Sequence, residues 1–141
     1  MKKVKIEIDS IVEDVDDAGL VENSDKTHSC AIGIISCAED TIHLSYSETD
    51  ENVTTKSDII IKDGEVSVKR SGGVEYDFLF REGETTESLY SIPPYSFDTE
   101  IYTRKIRKEF CGSVGKLSLI YDMTIGGAKK KTRMTISVNE K

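Results

Sequence analysis

The stretch that decides the fold runs from Thr41 to Arg81 and reads TIHLSYSETDENVTTKSDIIIKDGEVSVKRSGGVEYDFLFR. Apolar and polar residues alternate with a period of two in four runs of this stretch, at 41–48, 54–62, 65–70 and 74–81. That period places the apolar side chains on one face of an extended chain and is typical of a half-buried β-strand. Asp63-Gly64 and Gly72-Gly73 separate runs and suit the positive φ angles of tight hairpin turns. The stretch therefore predicts an antiparallel meander.

The remaining chain repeats this alternation. Further strands are predicted at Lys3–Val12, His28–Cys37, Thr86–Ile92, Phe97–Glu109, Lys116–Ile125 and Lys130–Val138. The acidic segment 13–25 is predicted to be a loop or an irregular hairpin arm, and Gly33 predicts a sharp corner within its strand. Closing a long twisted sheet on itself removes its edges. The predicted fold is therefore all-β, a single antiparallel up-and-down barrel of about eight to ten strands that spans residues 1–141 as one domain. An open sandwich is the alternative.

Composition and charge limit the classes of function. The three cysteines, Cys30, Cys37 and Cys111, have no Cys-x-x-Cys spacing, so reduced thiols fit better than a disulfide framework. No run approaches the roughly 20 apolar residues that cross a bilayer, and the alternating start does not resemble a signal peptide. These features predict a cytoplasmic protein that does not associate with membranes.

Two charged residues stand in phase with apolar residues of the central meander. Glu48 follows the phase of Leu44, and Arg70 follows the phase of Val68, so both charges are predicted to face the barrel interior. One strand lies between them, which separates their backbones by roughly 10 Å and lets the long side chains meet. A structural ion pair that closes one end of a filled barrel is one interpretation, because an unpaired inward charge costs several kcal/mol. A bulge that shifts the phase is another.

The functional interpretation of the same pair is a ligand site. In it the barrel binds a small apolar or amphipathic ligand, Arg70 acts as a fork for an anionic head group, and nearby hydroxyls donate hydrogen bonds. The predicted binding residues are Tyr46, Glu48, Arg70, Thr103 and Tyr121.

A second functional hypothesis concerns the outer wall. Residues 101–141 carry 10 Lys and Arg against 3 Asp and Glu, and the basic residues concentrate on two strands of one meander: Arg104, Lys105, Arg107, Lys108, Lys129, Lys130, Lys131 and Arg133. A positive stripe there would suit a protein or nucleic-acid partner. Nucleic acid is the less favoured partner, because the whole chain has a net charge of −7. In a closed barrel, Lys131 and Arg133 could also lie opposite Glu7 and Asp9.

Catalysis and assembly give weaker signals. His28 and Cys30 share one strand face and could form a Cys–His dyad, but a packed thiol beside a histidine at the barrel mouth is the favoured interpretation. No spacing fits a zinc site, so no enzyme activity, metal or cofactor is predicted. Strand 28–37 is apolar on both faces, which predicts cover on both faces by the acidic segment or by a second copy in a homodimer.

Four short motifs resemble a known family. They are Leu44-Ser45-Tyr46-x-Glu48, Val68-x-Arg70-Ser71-Gly72, Thr103-Arg104-x-Ile106 and Leu117-x-Leu119-x-Tyr121-Asp122-Met123. They are similar to motifs of the YwiB-type family, and the resemblance covers nearly the whole chain, most clearly residues 41–138. It implies a small bacterial cytoplasmic protein with a calycin-like (lipocalin-related) β-barrel. It implies no activity, since that family has no established function.

Overall fold

The computed structural model describes residues 1–141 as ten β-strands of one antiparallel sheet. The strands are β1 (Lys2–Val15), β2 (Val21–Ala38), β3 (Thr41–Asp50), β4 (Val53–Lys62), β5 (Glu65–Ser71), β6 (Tyr76–Arg81), β7 (Thr85–Ile92), β8 (Tyr95–Cys111), β9 (Val114–Ile125) and β10 (Ala128–Glu140). Their order in the sheet is β6-β5-β4-β3-β2-β1-β10-β9-β8-β7, and the chain contains no helix. The up-and-down arrangement that the alternation predicts is confirmed.

The barrel is closed by two different contacts. The first and last strands form a continuous ladder from Val4 and Glu140 to Val15 and Lys129. The opposite seam, between β6 and β7, has one backbone bridge, in which Glu75 and Ser91 exchange two hydrogen bonds of 2.8 Å. Along this seam, side-chain hydroxyls of β7 donate to β6 carbonyls, from Thr86 to Leu79 and from Ser88 to Asp77. The barrel is therefore nearly closed, with polar side chains supplying part of the seam.

The apolar core fills the half of the barrel in which β2 and β3 are paired. One register row runs through Ile35, Leu44, Ile59, Val68 and Phe78 on five successive strands, and all five side chains are buried. The facing wall adds the buried side chains of Ile6, Leu117, Leu119, Ile136 and Val138. Alternation with a period of two places this whole set inward, and burial of the set stabilises the closed half.

Strand β2 separates from β3 at Gly33. It pairs with β1 from Val21 to Ile35, but its ladder with β3 covers only Gly33–Ala38. A Cβ on Gly33 would lie 2.5 Å from the carbonyl oxygen of Ser45 and 2.7 Å from Cδ1 of Ile6. Glycine is required here because the backbones approach too closely for any side chain. The residues of β2 before Gly33 leave the barrel wall open on that side.

Of the two alternatives predicted for residues 13–25, a loop and an irregular hairpin arm, the structure shows the hairpin arm, with a register shift between Asp14 and Val15. The first strand continues to Val15, β2 begins at Val21, and only the segment between them turns, with a hydrogen bond of 3.0 Å from the Asp16 amide to the Leu20 carbonyl. The acidic residues were compatible with strands because this two-stranded arm is exposed, so their charges remain in water.

We expect Gly33→Ala to lower the free energy of unfolding by about 1–3 kcal/mol, the usual cost of forcing an extra carbon into a packed site. Gly73→Ala is the matched control, because its new Cβ would meet mainly Cγ1 of Val53, at 2.8 Å, and that exposed side chain can move. Urea unfolding of both variants measures the difference. Equal costs would contradict a special close approach at Gly33.

Candidate ligand-binding site

One register row places polar side chains directly above the apolar core. Tyr46 of β3 pairs with Ser57 of β4, Ser57 pairs with Arg70 of β5, and Arg70 pairs with Tyr76 of β6. All four side chains point inward, because each is two residues from a buried core position on its strand. The row therefore divides the barrel interior into a filled apolar half and an open polar half.

The guanidinium of Arg70 is the centre of this row. Its Nε donates a hydrogen bond of 3.1 Å to Oγ of Ser57, and its Nη2 lies 3.5 Å from Oε1 of Glu48. The ring centroid of Tyr76 lies 6.0 Å from the guanidinium carbon. Glu48 is one inward position nearer the mouth than Tyr46, and the side chains of Glu48 and Arg70 are both about one-third exposed. The structure thus brings together the two charges that the alternation placed inside.

A half-apolar cavity of about 200 Å³ lies against this row. Its apolar wall comes from Ile8, Ile59, Val68, Met134 and Ile136, and its polar wall comes from Ser10, Thr27, Ser29, Tyr46, Glu48, Arg70 and Tyr76. Pockets for drug-sized ligands usually measure about 300–1,000 Å³, so this cavity suits a smaller molecule. A larger depression of about 950 Å³ beside β7–β9 is lined mainly by polar residues, with Leu89 and Phe97 as its apolar members.

The protonation states in the row follow from burial and from neighbouring groups. Burial raises the pKa of the Tyr46 phenol and that of the Tyr76 phenol above the usual value near 10. Burial acts to lower the pKa of Arg70, but Tyr76, Tyr46 and Glu48 offset it, and the pKa of Arg70 is raised overall. At neutral pH the cavity therefore presents a guanidinium cation, a carboxylate and two protonated phenols.

Two of the five predicted binding residues lie outside this cavity. Thr103, Tyr121 and Thr132 form a separate row on β8, β9 and β10, and all three are buried. The Tyr121 ring lies 4.7 Å from that of Phe80, and burial raises the pKa of its phenol. The hydroxyl of Thr103 has no hydrogen-bond partner in the protein. The predicted set is thus divided between the cavity and a second interior row.

Sequence reasoning missed several lining residues. Tyr76, and Ser57 in the row beside the cavity, were detectable, because Ser57 is in phase with Ile59 and Tyr76 is in phase with Phe78. The contributions of Ser10, Thr27 and Ser29 were not detectable from alternation alone. They depend on where β2 leaves β3, which is a property of the tertiary structure.

The predicted outer placement of two basic residues is wrong. A register shift between Thr103 and Lys105 turns the end of β8, so Lys108 falls in phase with the half-buried Ile106, and its Nζ lies 2.7 Å from Asp63. Lys130 is in phase with the buried Thr132, and its Nζ lies 2.6 Å from Oδ1 of Asp14.

The remaining basic residues do not form an uninterrupted positive stripe. Arg104 lies 2.6 Å from Asp122 and Arg107 lies 2.8 Å from Glu109. Lys131 is opposite Glu13, so the first strand does supply an acidic neighbour, although not Glu7 as predicted. Arg133 is opposite Ile11 instead of Asp9, and Lys105 and Lys129 complete the group. Acidic neighbours therefore compensate much of the charge on this wall.

The outer face of β2 is uncovered. Ile32 is 50% exposed and Ile34 is 41% exposed, so the predicted cover on both faces is absent within one chain. The homodimer through strand 28–37 stays a prediction. Cys30 is exposed on this same face, contrary to the packed thiol expected, and His43 is exposed with Nε2 3.2 Å from Asp58.

No cluster of three or more His, Cys, Asp or Glu side chains is arranged to hold a metal ion. The structure has no helix long and apolar enough to span a membrane.

Comparison with known proteins agrees with this barrel. The sequence profile of a family described as a domain of unknown function, DUF1934, matches residues 7–136. The chain belongs to the DUF1934 family. Its similarity to the uncharacterized beta-barrel protein YwiB of Bacillus subtilis is 24% identity over 135 residues, which cover 95% of this chain and 91% of YwiB.

A solved structure supports the fold of this DUF1934 chain. The crystal structure of the YwiB protein from Bacillus subtilis superposes with a TM-score of 0.85 and covers 99% of this chain and 92% of that chain, at 24% identity. The resemblance noted in the sequence motifs is confirmed, and so is the barrel. Since the family is one of unknown function, the comparisons transfer no activity, and function has to be argued from the interior.

We expect the stability of the protein to fall as the pH rises above about 10, partly because of Tyr121. Burial raises the pKa of this phenol, so above about pH 10 the unfolded chain releases a proton that the folded chain retains. The free energy of unfolding should therefore fall less steeply with pH in Tyr121→Phe than in the wild type. Urea unfolding over a pH series measures the slope, and Tyr95→Phe, at an exposed site, is the control. Equal slopes for the wild type and Tyr121→Phe would contradict the protected phenol.

Proposed function

We propose that this DUF1934 protein is a binding protein and not an enzyme, and that its barrel takes up a small amphipathic ligand whose anionic head group binds at Arg70. The observation that supports the proposal is a guanidinium with unused donors at the wall of a half-apolar cavity. Guanidinium has five N–H donors in a planar fork that matches a carboxylate. Within the protein, the guanidinium donates a hydrogen bond to Ser57, lies 3.5 Å from Glu48 and lies beside the ring of Tyr76, and these few contacts do not use all five donors.

Neighbouring hydroxyls complete the head-group site. Tyr46 and Tyr76 line the same cavity and stay protonated at neutral pH, so each can donate a hydrogen bond to an anion held by Arg70. Ser57 holds the guanidinium in place from below through the bond of 3.1 Å. These groups lie on β3 to β6, which are paired in register, so the site is preorganised by the sheet.

Glu48 has a distinct role in this proposal. Its contact with Arg70 measures 3.5 Å, longer than the roughly 2.7–2.9 Å of a charge-assisted hydrogen bond. A ligand carboxylate can take its place, because Glu48 lies toward the mouth and its side chain is about one-third exposed. Glu48 thus compensates the charge of Arg70 when no ligand is bound, and it competes with an anionic ligand for the guanidinium.

The opposite wall of the cavity limits the size of the apolar part of the ligand. Ile8, Ile59 and Ile136 lie beside the polar row, and the cavity volume of about 200 Å³ leaves space for a short hydrocarbon chain. Each buried methylene contributes about 0.8 kcal/mol, so affinity should grow with chain length until the cavity is full. This dependence distinguishes a cavity from a surface site for anions.

We expect a series of butanoate, hexanoate and octanoate to bind with one site per chain in isothermal titration calorimetry. Arg70→Ala should weaken binding by about tenfold or more, because it removes a charged hydrogen-bond donor. Glu48→Gln should strengthen binding, because it removes the competing carboxylate. Arg81→Ala and Glu65→Gln are the matched controls, since that pair lies 2.8 Å apart on the outer faces of β5 and β6 and should leave affinity unchanged.

Two results would contradict the proposal. One is the absence of binding throughout the series, or binding that Arg70→Ala leaves unchanged. The other is a loss of stability in Glu48→Gln that clearly exceeds the loss in Glu65→Gln, without any gain in affinity, which is expected of a purely structural ion pair. If neither result is found, native mass spectrometry of protein purified from its own host would identify the mass of the natural ligand.

A further inference from the structure

Three side chains form a linear relay on the outer face of the β1–β2 ladder. Nε2 of His28 lies 3.4 Å from Sγ of Cys30, and Nδ1 of His28 lies 2.6 Å from Oδ1 of Asp9. Cys30 and His28 are two residues apart on β2, so they share the outward face. Asp9 is the direct register partner of His28 on β1. The relay is therefore built on two paired strands and not on a loop.

The order of the three groups determines the hydrogen-bonding roles. A carboxylate only accepts hydrogen bonds, so the contact with Asp9 places the imidazole proton on Nδ1 of His28. Nε2 then carries a lone pair, and that atom is the one facing the thiol of Cys30. Nucleophile, base and orienting acid follow one another as they do in enzymes that activate a cysteine. A thiolate is the reactive form of cysteine, and a neighbouring protonated imidazole stabilises it.

We propose that Cys30 is a reactive thiol that forms mixed disulfides with small disulfide compounds, with His28 as its base and Asp9 as a positioning residue. His28 accepts the thiol proton, and the Cys30 thiolate attacks one sulfur of the compound. A bond forms between Cys30 and that sulfur while the original S–S bond breaks. The released thiolate takes up the proton from His28, so no net charge or oxidant is required beyond the disulfide itself.

This assignment is independent of the barrel cavity. Cys30 and His28 are exposed on the outer wall, whereas the cavity is lined by the alternate residues of the same strand, Thr27 and Ser29. Thiol–disulfide exchange needs access to the sulfur and a thiolate, and it needs no pocket around a substrate. An exposed position on a rigid strand satisfies the first requirement, and the His28 contact supplies the second.

Some neighbouring charges favour the thiolate form of Cys30 and others oppose it. Glu7 lies directly opposite Cys30 in the ladder, and its charge opposes a thiolate. Lys5 is 3.4 Å from Glu7 and lies opposite Ile32, so it offsets part of that effect. Lys26, two residues before His28 on the same face, adds a positive charge farther away. The reactivity of Cys30 therefore depends on the direct contact with His28 and not on a surrounding positive field.

The chain offers internal controls for a test. Cys37 and Cys111 are also exposed, and neither has a histidine within hydrogen-bonding distance. The folded protein is treated with iodoacetamide, and separately with dithiodipyridine, at neutral pH, and the modification of each cysteine is followed by peptide mass spectrometry. We expect Cys30 to react about tenfold faster than the other two. The ratio should shrink at alkaline pH, where a thiolate forms without the help of a neighbouring base.

Substitutions show whether the reactivity of Cys30 depends on His28 and Asp9 or only on the exposure of its thiol. His28→Gln should bring the rate at Cys30 down to that of Cys37. Asp9→Ala should lower the rate at Cys30. Asp9→Asn should retain part of that rate, because an amide oxygen still accepts a hydrogen bond from Nδ1–H of His28. His43→Gln is the matched control, since His43 also contacts an aspartate but no cysteine. The proposal is overturned if Cys30 reacts no faster than Cys37 and Cys111, or if His28→Gln leaves the ratio of rates unchanged.

Discussion

Arg70 is a positive charge inside a barrel, and the arrangement of the open half follows from the need to compensate that charge. An isolated cation transferred from water into an apolar interior costs several kcal/mol, so its neighbours have to be polar. The hydroxyl of Ser57 accepts a hydrogen bond from Nε of Arg70. The carboxylate of Glu48 lies 3.5 Å from the guanidinium, and the ring of Tyr76 lies beside it. Ser57 and Tyr76 occupy the register positions on either side of Arg70, and Glu48 lies beyond Tyr46 on β3, which leaves no place for core residues there. The apolar core therefore ends at the row below.

The same constraint explains why the barrel is open where it is. A guanidinium that is half-buried needs access to water or to a ligand for its remaining donors. The separation of β2 from β3 at Gly33 supplies that access on the side facing Arg70, because Gly33 is the register partner of Tyr46 in the same row. Below the row, β2 and β3 stay paired and the interior is packed. One glycine position thus marks the boundary between the half that stabilises the fold and the half that contains the cavity.

Alternation in the sequence was sufficient to predict the barrel, the strand order and the inward direction of Glu48 and Arg70. It succeeded because a period of two directly reports which side chains share a face. Lys130 lies in core phase with Thr132, as the alternation of β10 itself indicates, so its predicted outer placement departed from that pattern. Alternation failed at Lys108, where a register shift in β8 reverses the phase. It also failed for Thr103 and Tyr121, because alternation says that a residue points inward but not how deep it lies or which wall it faces. The depth of a side chain in the barrel and the wall that it faces depend on how the ten strands are staggered around the barrel. No local sequence pattern contains that stagger.

The β1–β2 ladder serves two surfaces with alternate residues. Ser10, Thr27 and Ser29 face the cavity, while Asp9, His28 and Cys30 face outward. Because consecutive side chains of a strand point to opposite faces, a substitution in one set leaves the other in place as long as the ladder holds. The ladder is supported on one side, since β1 also pairs with β10 along most of its length. The proposed binding inside the barrel and the proposed thiol chemistry on its surface are therefore physically separable, and a loss of one in a folded variant carries no implication for the other.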